Sequence, residues 1–182
     1  MRVLFVCTGN ICRSPLAERY ASHWAEQHGT AIEATSVGTH ALVGYPMDPD
    51  AAEALAALGG TSDGFAARAL TTTDARNADL ILVMERAHRD RVLATAPAAT
   101  LRTFTLSEAA LIASQVSVRT IRELAIARTR VPQAVDAPDI LDPFRQGPAT
   151  HRRIAEEIAA KVDIVLGMLA PSTTDSPKTP TL

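Results

Sequence analysis

The sequence predicts a single doubly wound α/β domain, in which a parallel sheet has helices on both faces. Short apolar runs alternate along the chain with longer segments of helical spacing, and this alternation is typical of such sheets. The chain has 182 residues, of which 47% are hydrophobic, and this suits one compact core. The first apolar run is followed by a loop and then a helix, which is where these sheets bind ligands.

Four runs bounded by turn residues are predicted to be strands. The runs at residues 3–6 and 80–84 are continuously apolar, as buried strands are. Residues 32–36 form another candidate strand, and at residues 101–105 apolar side chains alternate with polar ones.

Five longer segments carry helical signals. In the first of them, Leu16, Tyr20 and Trp24 stand four residues apart, and Pro15 occupies the opening turn, where its missing N–H costs nothing. The second segment is rich in alanine and stops at a pair of glycines. The predicted helices cover residues 14–28, 48–58, 86–95, 107–130 and 149–169.

The predicted domain spans residues 1–170. Residues 136–148 form a loop with three prolines, and residues 171–182 are rich in Ser, Thr and Pro, which predicts a disordered tail.

Charge and hydropathy argue against several classes of protein. A net charge of −2 gives no reason to expect binding to nucleic acid or to an anionic membrane. No apolar run approaches the roughly 20 residues that span a bilayer. Arg2 is followed by only four apolar residues before the polar loop, so the N-terminus is not a secretion signal. We therefore expect a cytoplasmic protein that does not insert into membranes.

The loop after the first strand, residues 7–14, reads CTGNICRS and has the features of an anion site. Backbone N–H groups between a strand and a helix N-terminus can converge on an anion, and the helix dipole adds to the attraction. Gly9 and Asn10 tolerate the left-handed backbone angles that a tight cradle needs. Arg13 supplies a planar fork that can hold two phosphate oxygens at once.

Cys7 lies at the end of the first predicted strand and faces the same concavity. A cysteine after an apolar strand is usually a small buried hydrophobe. Here, however, the spacing Cys-x5-Arg-Ser places the sulfur in a field that holds anions and so favours thiolate over thiol. The sequence therefore predicts that Cys7 is a nucleophile below a bound oxyanion.

This loop, as VCTGNICRSPLAE, resembles the N-terminal signature of the low-molecular-weight protein tyrosine phosphatase family. Three later segments resemble family segments in the same order: SVGT at residues 36–39, ADLILVM at 78–84 and DPF at 142–144. The resemblance implies a four-stranded parallel sheet. It also implies metal-independent hydrolysis of phosphate monoesters, chiefly protein phosphotyrosine, through a phosphocysteine.

The resemblance assigns roles by position. Cys7 attacks phosphorus, and Arg13 binds the equatorial oxygens and stabilises the transition state. Asp142 protonates the leaving oxygen and then activates water. Ser14 donates its hydroxyl to the Cys7 sulfur. Asn10 holds the loop conformation with help from Ser36, and the remaining substrate-binding positions are Thr8, Gly9, Ile11, Cys12 and Phe144.

The general acid is expected to be one of three carboxylates in one proline-containing loop. Asp136, Asp139 and Asp142 are all candidates, and two of them are expected to be ordinary solvated side chains. Asp142 is favoured because Pro143 and Phe144 follow it, as in the family pattern.

The chain departs from the family pattern in two places. Residues 40–44 are one residue shorter than the corresponding loop and lack the aromatic side chain that forms one wall of the phosphotyrosine slot. Phe144 would form one wall, and the other is either missing or supplied differently, with Tyr45 as a candidate. Residues 107–130 exceed the usual connection and form either an extra helical hairpin or part of a partner surface.

No metal or other cofactor is expected, because Arg13 and the loop amides supply the positive field. Cys7 and Cys12 are too close in sequence to staple the fold, and two thiols alone do not suggest structural zinc. Cys12 is either a packed thiol or a residue that traps oxidised Cys7 in a disulfide. Five histidines without metal-ligand spacing are predicted to lie on the surface: His23, His28, His40, His88 and His151.

Two other functions remain open. The first is an arsenate reductase that uses an external small thiol, since the chain has no cysteine after Cys12 for an internal relay. The second is a phosphate-binding module without turnover. The set of Cys7, Arg13 and Asp142 favours the phosphatase, whose partner is a phosphotyrosine protein or a small phosphate ester.

Overall fold

A computed structural model describes residues 1–169 and contains one four-stranded sheet. The strands are β1 (Arg2–Cys7), β2 (Glu33–Gly38), β3 (Leu80–Val83) and β4 (Thr103–Thr105). Their spatial order is β2-β1-β3-β4, and all three neighbouring pairs are parallel. The predicted doubly wound domain with four parallel strands is confirmed.

Seven α-helices surround the sheet within the described residues. They are α1 (Arg13–Gln27), α2 (Pro49–Ala57), α3 (Thr72–Asn77), α4 (Arg86–Thr95), α5 (Leu106–Gln115), α6 (Ile121–Ala127) and α7 (Pro148–Leu169). Two 3₁₀ segments, Pro97–Arg102 and Pro132–Asp136, occupy positions between them.

Three sequence predictions of secondary structure are corrected. Residues 107–130 are not one continuous helix, because α5 ends at Gln115 and Thr120 caps a new helix by accepting a hydrogen bond from Glu123 N–H. The predicted strand at 101–105 begins only at Thr103, since the 3₁₀ segment precedes it. The short helix α3 was not predicted, and it starts at a capping box between Thr71 and Asp74.

The core lies on both faces of the sheet because successive side chains of a strand point to opposite sides. Val3 and Phe5 of β1 belong to a cluster that includes residues of α1, α5 and α7. Leu4 and Val6 belong to a second cluster with residues of α3 and α4. This arrangement buries β1 completely on both faces from Val3 onward, so its carboxyl end is fixed.

The sheet order places the loop after β1 at a topological switch point. β1 is central, its connection through α1 leads to β2 on one side, and β3 lies on the other side. Ligands bind in the crevice beyond the strand ends at such a point. Gly38, at the end of β2, allows close approach there, because a Cβ atom on it would lie 2.5 Å from the Thr8 carbonyl oxygen.

Among residues 1–169, no helix is both long enough and apolar enough to cross a membrane. The predicted disordered tail at residues 171–182 lies outside the described residues.

Candidate active site

The loop between β1 and α1 forms a backbone cradle. Its carbonyl oxygens accept hydrogen bonds from amides of neighbouring segments: Thr39 to Cys7 (2.9 Å), His40 to Thr8 (2.9 Å), Leu42 to Gly9 (3.0 Å) and Asp48 to Ile11 (2.8 Å). No hydrogen bond in the described part of the chain has a backbone N–H of residues 8–12 as its donor. The carbonyl oxygens named above are thus occupied by neighbouring segments, while the loop amides at the helix N-terminus remain available. Such amides can hold an anion.

Asn10 fixes the conformation of the loop. Of the two residues that tolerate a left-handed backbone, only Asn10 adopts one, with φ of 55°. Its buried side-chain amide donates to Ser14 Oγ (2.9 Å) and to Ser36 Oγ (2.8 Å), and its oxygen accepts from Arg68 N–H (2.7 Å). Asn10 and Ser36 therefore occupy the supporting positions that the sequence predicts.

Ser36 extends this network away from the loop. Its hydroxyl donates to Glu18 Oε2 over 2.6 Å, so its oxygen is oriented to accept from Asn10. Burial raises the pKa of Glu18, and the hydrogen bond from Ser36 opposes that change.

Replacing Asn10 by alanine is expected to lower the free energy of unfolding by about 2 to 4 kcal/mol. The change removes a hydrogen-bond partner from two buried groups and one half-buried group, and it retains a left-handed backbone that alanine disfavours. Urea denaturation would measure it, with Asn77→Ala, at an exposed position in α3, as the matched control. Equal stability losses in the two variants would contradict the role given to Asn10.

Cys7 lies at the floor of the pocket and is 2% exposed. Its sulfur is 3.0 Å from Ser14 Oγ, the partner that the family resemblance implies. Because Ser14 Oγ already accepts a hydrogen bond from Asn10, its own hydrogen can be given to the sulfur, although the Val37 carbonyl oxygen is also within 3.3 Å. A hydrogen bond in that direction stabilises a thiolate.

Arg13 is buried, and one side of its guanidinium is held by the protein. Nη1 donates to Glu85 Oε1 (2.5 Å) and to the Ile140 carbonyl oxygen (2.8 Å). Nη2 forms an ion pair with Asp142 Oδ2 at 2.9 Å. Nε is buried and has no hydrogen-bond partner within residues 1–169. The edge formed by Nε and Nη2 is therefore the part that can bind an oxyanion.

The three candidate carboxylates occupy different environments. Asp139 accepts a hydrogen bond from the backbone N–H of Arg86 at the start of α4 (2.9 Å), and Asp136 ends the second 3₁₀ segment. Asp142 alone of the three lines the pocket that contains Cys7, and its side chain is 46% exposed. The geometry thus favours the carboxylate that the sequence motif selects.

The pocket has a volume of about 220 Å³ and mostly apolar walls. Phe144 lies on one wall, as predicted, while Ile11, Leu42 and His40 contribute elsewhere. Tyr45 is 61% exposed and is not among the lining residues, so it does not replace the missing aromatic wall.

Two site residues escaped the sequence analysis. Glu85 lies two residues after the end of β3 and binds Arg13, and His88 Nε2 lies 2.8 Å from Thr8 Oγ1. The ends of parallel strands meet at one edge of the sheet, and this rule could have drawn attention to both residues. The prediction that all histidines lie on the surface is wrong for His88 and His151, which are 3% and 2% exposed.

Burial lowers the pKa of His88, although Glu85 acts in the opposite direction. Below about pH 6.5 the unfolded chain therefore binds a proton that the folded state does not, so the free energy of unfolding falls as pH falls towards the folded-state pKa. We expect His88→Asn to lose part of this dependence between pH 7.5 and 5.5.

Denaturant unfolding at several pH values would test this, with His23→Asn at a half-buried position of α1 as the control. If both variants keep the pH dependence of the wild type, His88 does not contribute to it.

Cys12 is a second free thiol beside the cradle. Burial is the main reason that its pKa is raised, and the negative charge of Asp48 adds to the effect. The disulfide between Cys7 and Cys12 stays a prediction.

Comparison with curated proteins and solved structures places this chain in a family. The family model for low molecular weight phosphotyrosine protein phosphatase matches residues 2–172. Etp, a low molecular weight protein-tyrosine-phosphatase of Escherichia coli (strain K12), is 45% identical over 95 residues, which are 52% of this chain and 62% of Etp. The match thus covers less than two thirds of this curated relative.

Solved structures share the whole fold. A low molecular weight protein tyrosine phosphatase from T. tengcongensis has a TM-score of 0.73 and 28% identity, and the alignment covers 92% of this chain and 98% of that one. The YwlE arginine phosphatase from Geobacillus stearothermophilus also has a TM-score of 0.73, with 26% identity and 92% of each chain covered. The resemblance inferred from the sequence is confirmed, and this chain belongs to the low molecular weight phosphotyrosine protein phosphatase family.

Proposed function

We propose that this protein hydrolyses phosphate monoesters, with protein phosphotyrosine as its substrate, through a phosphocysteine on Cys7. One observation carries the proposal: the Cys7 sulfur lies in a pocket whose loop amides and Arg13 Nε have no hydrogen-bond partner among residues 1–169. A phosphoryl group bound there has its phosphorus next to the nucleophile and its oxygens facing these donors.

In the first step, the Cys7 thiolate attacks phosphorus and the bond to the leaving oxygen breaks. Arg13 and the loop amides hold the three equatorial oxygens, where charge is spread in the transition state. Protonated Asp142 gives its proton to the leaving oxygen, so the product leaves as a neutral alcohol. Ser14 steadies the sulfur before attack by hydrogen bonding to it.

In the second step, water attacks the phosphocysteine and the phosphorus–sulfur bond breaks. The Asp142 carboxylate takes a proton from this water, which returns Asp142 to its protonated form and releases inorganic phosphate. The Cys7 thiolate is restored at the same time. The residues of this chain supply the positive charge and the proton transfer for both steps.

The walls of the pocket favour an aromatic substrate. Ile11, Leu42 and Phe144 offer apolar contacts to a phenyl ring, whereas the one carboxylate among the lining residues, Asp142, is paired with Arg13. A cationic guanidinium would find a single acidic side chain among the lining residues, against three apolar ones that suit a phenyl ring. We therefore favour phosphotyrosine over phosphoarginine, the substrate class named for one structural neighbour.

Peptides of one sequence carrying phosphotyrosine, phosphoserine or phosphoarginine would test the substrate class. We expect phosphotyrosine to have the highest kcat/KM, and we expect para-nitrophenyl phosphate to be hydrolysed equally with and without EDTA. Equal efficiency on phosphotyrosine and phosphoserine would contradict the substrate, and a requirement for added metal would contradict the mechanism. Arsenate reduction with a small thiol, without phosphate release, would establish the reductase instead.

Replacing Phe144 by alanine is expected to raise KM for a phosphotyrosine peptide by up to about tenfold. Stacking on an aromatic wall contributes about 0.5–1.5 kcal/mol beyond the area buried, and the change does not touch the reacting atoms. The value of kcat should therefore stay within about twofold. Tyr45→Ala is the matched control, because that ring is exposed and does not line the pocket. A larger effect of Tyr45→Ala than of Phe144→Ala would show that the wall has been assigned wrongly.

A further inference from the structure

Three different metal-binding side chains meet behind the cradle. Cys12, Asp48 and His151 each have a ligand atom within 4.8 Å of the other two. Cys12 and His151 are buried, at 4% and 2% exposed, and the Asp48 side chain is 17% exposed. The catalytic steps proposed above use neither the Asp48 carboxylate nor the His151 ring.

The spacing of these atoms suits a metal ion better than direct hydrogen bonding. His151 Nε2 lies 3.7 Å from Asp48 Oδ1, which is longer than a hydrogen bond. Ligands bound to zinc at about 2.0–2.3 Å in a tetrahedron are roughly 3.3–3.6 Å apart. The three side chains each offer a ligand atom within 4.8 Å of the other two, so small side-chain rotations would bring them to the separation that zinc needs.

Each ligand comes from a separate, well-anchored segment. Cys12 immediately precedes α1, and His151 lies in the first turn of α7. Asp48 caps α2, where its Oδ1 accepts from the N–H groups of Asp50 and Ala51, at 3.0 and 3.3 Å. Within residues 1–169, no hydrogen bond involves Asp48 Oδ2, so this oxygen can bind an ion while Oδ1 keeps the cap.

The donor set selects the kind of ion. Thiolate, imidazole and carboxylate together are typical ligands of Zn²⁺, whereas Mg²⁺ and Ca²⁺ prefer oxygen alone. Zinc binding replaces the thiol proton of Cys12, which passes to solvent. Three protein ligands leave one coordination position for water, and Cys12 also lines the pocket, which gives an ion a route of entry.

We propose that Cys12, Asp48 and His151 form a Zn²⁺ site behind the phosphate-binding loop. The site is separate from the proposed reaction steps, none of which uses a metal. It is linked to the loop through Cys12 and through the hydrogen bond from Asp48 N–H to the Ile11 carbonyl oxygen, at 2.8 Å.

Cobalt titration of the Cys7→Ser protein tests the site without interference from the nucleophile, and its result does not depend on phosphatase activity. We expect a near-ultraviolet thiolate-to-Co²⁺ charge-transfer band that disappears in the Cys7→Ser/Cys12→Ser double variant. His151→Gln in the Cys7→Ser background should raise the Kd for Co²⁺ at least tenfold. His23→Gln in the same background, at a half-buried position outside the three-residue cluster, should leave that Kd unchanged.

Zinc-dependent thermal unfolding gives an independent measurement. A ligand that binds only the folded state raises Tm in proportion to the logarithm of its excess over Kd. Excess Zn²⁺ should therefore raise the Tm of Cys7→Ser and of its His23→Gln derivative, but not that of its His151→Gln derivative. Absence of the charge-transfer band in Cys7→Ser, or equal Kd and Tm shifts in the two histidine variants, would overturn the proposal.

Discussion

The Cys7→Ser variant is expected to lose turnover of phosphotyrosine peptides by roughly 10⁴-fold or more, because a serine hydroxyl is a far weaker nucleophile than a thiolate. The hydroxyl cannot ionise readily at neutral pH, whereas a thiolate at Cys7 would accept a hydrogen bond from Ser14 Oγ, which lies 3.0 Å away. Phosphate binding should persist, since Arg13 and the loop amides hold the anion. We therefore expect Cys7→Ser to be inactive but to bind phosphate with a Kd within about threefold of the wild-type value.

Steady-state kinetics and calorimetric titration with phosphate would measure the two quantities on the same samples. Cys12→Ser removes the other thiol and should lose far less activity, because the proposed mechanism gives the Cys12 sulfur no role. Wild-type turnover by Cys7→Ser would contradict the assignment of the nucleophile. Loss of phosphate binding together with turnover would instead indicate that the loop has collapsed.

The loss of kcat in the Asp142→Asn variant is expected to depend on the leaving group of the substrate. For phosphate esters with poor leaving groups, kcat should fall by about 10²–10⁴-fold, which is the usual contribution of general acid catalysis. For para-nitrophenyl phosphate the loss should be much smaller, because its leaving group needs little protonation. A series of aryl phosphates of graded leaving-group pKa would show this as a steeper dependence in the variant.

Asp139→Asn is the control for that series, because Asp139 lies in the same loop and binds the backbone N–H of Arg86 rather than lining the pocket. Its leaving-group dependence should match the wild type. The steeper dependence in Asp139→Asn, with a normal one in Asp142→Asn, would show that the wrong carboxylate has been chosen.

The nucleophile and the cradle could be predicted because they are local in sequence. Cys7, Asn10 and Arg13 lie within seven consecutive positions, and their place between a strand and a helix follows from hydrophobic pattern alone. Glu85 and Ile140, which hold Arg13 Nη1, are 72 and 127 residues away from it. Contacts of this kind depend on the packing of the sheet, which periodicity does not specify.

The single helix predicted at residues 107–130 was wrong because a capping signal lies within it. Residues 107–130 contain enough apolar positions to suggest one helix, yet Thr120 and Glu123 have the Thr-x-x-Glu spacing that begins a new one. Thr71 and Asp74 begin α3 in a similar way. Capping residues inside an apparently continuous hydrophobic pattern therefore indicate where a new helix begins, which hydrophobic spacing alone does not.

Because Asp142 forms an ion pair with Arg13 Nη2, a carboxylate of the protein itself competes with any anion for this guanidinium. Any anion that binds the guanidinium edge displaces a tethered carboxylate whose local concentration is high and independent of dilution. A small monoanion such as chloride offers one contact in return, whereas a phosphoryl group offers three oxygens to Arg13 and to the loop amides. We expect this competition to weaken binding of small cellular anions much more than binding of phosphoryl groups. Arg13 and Asp142 would thus select phosphoryl groups over other anions independently of the contacts that the pocket walls make with the substrate side chain.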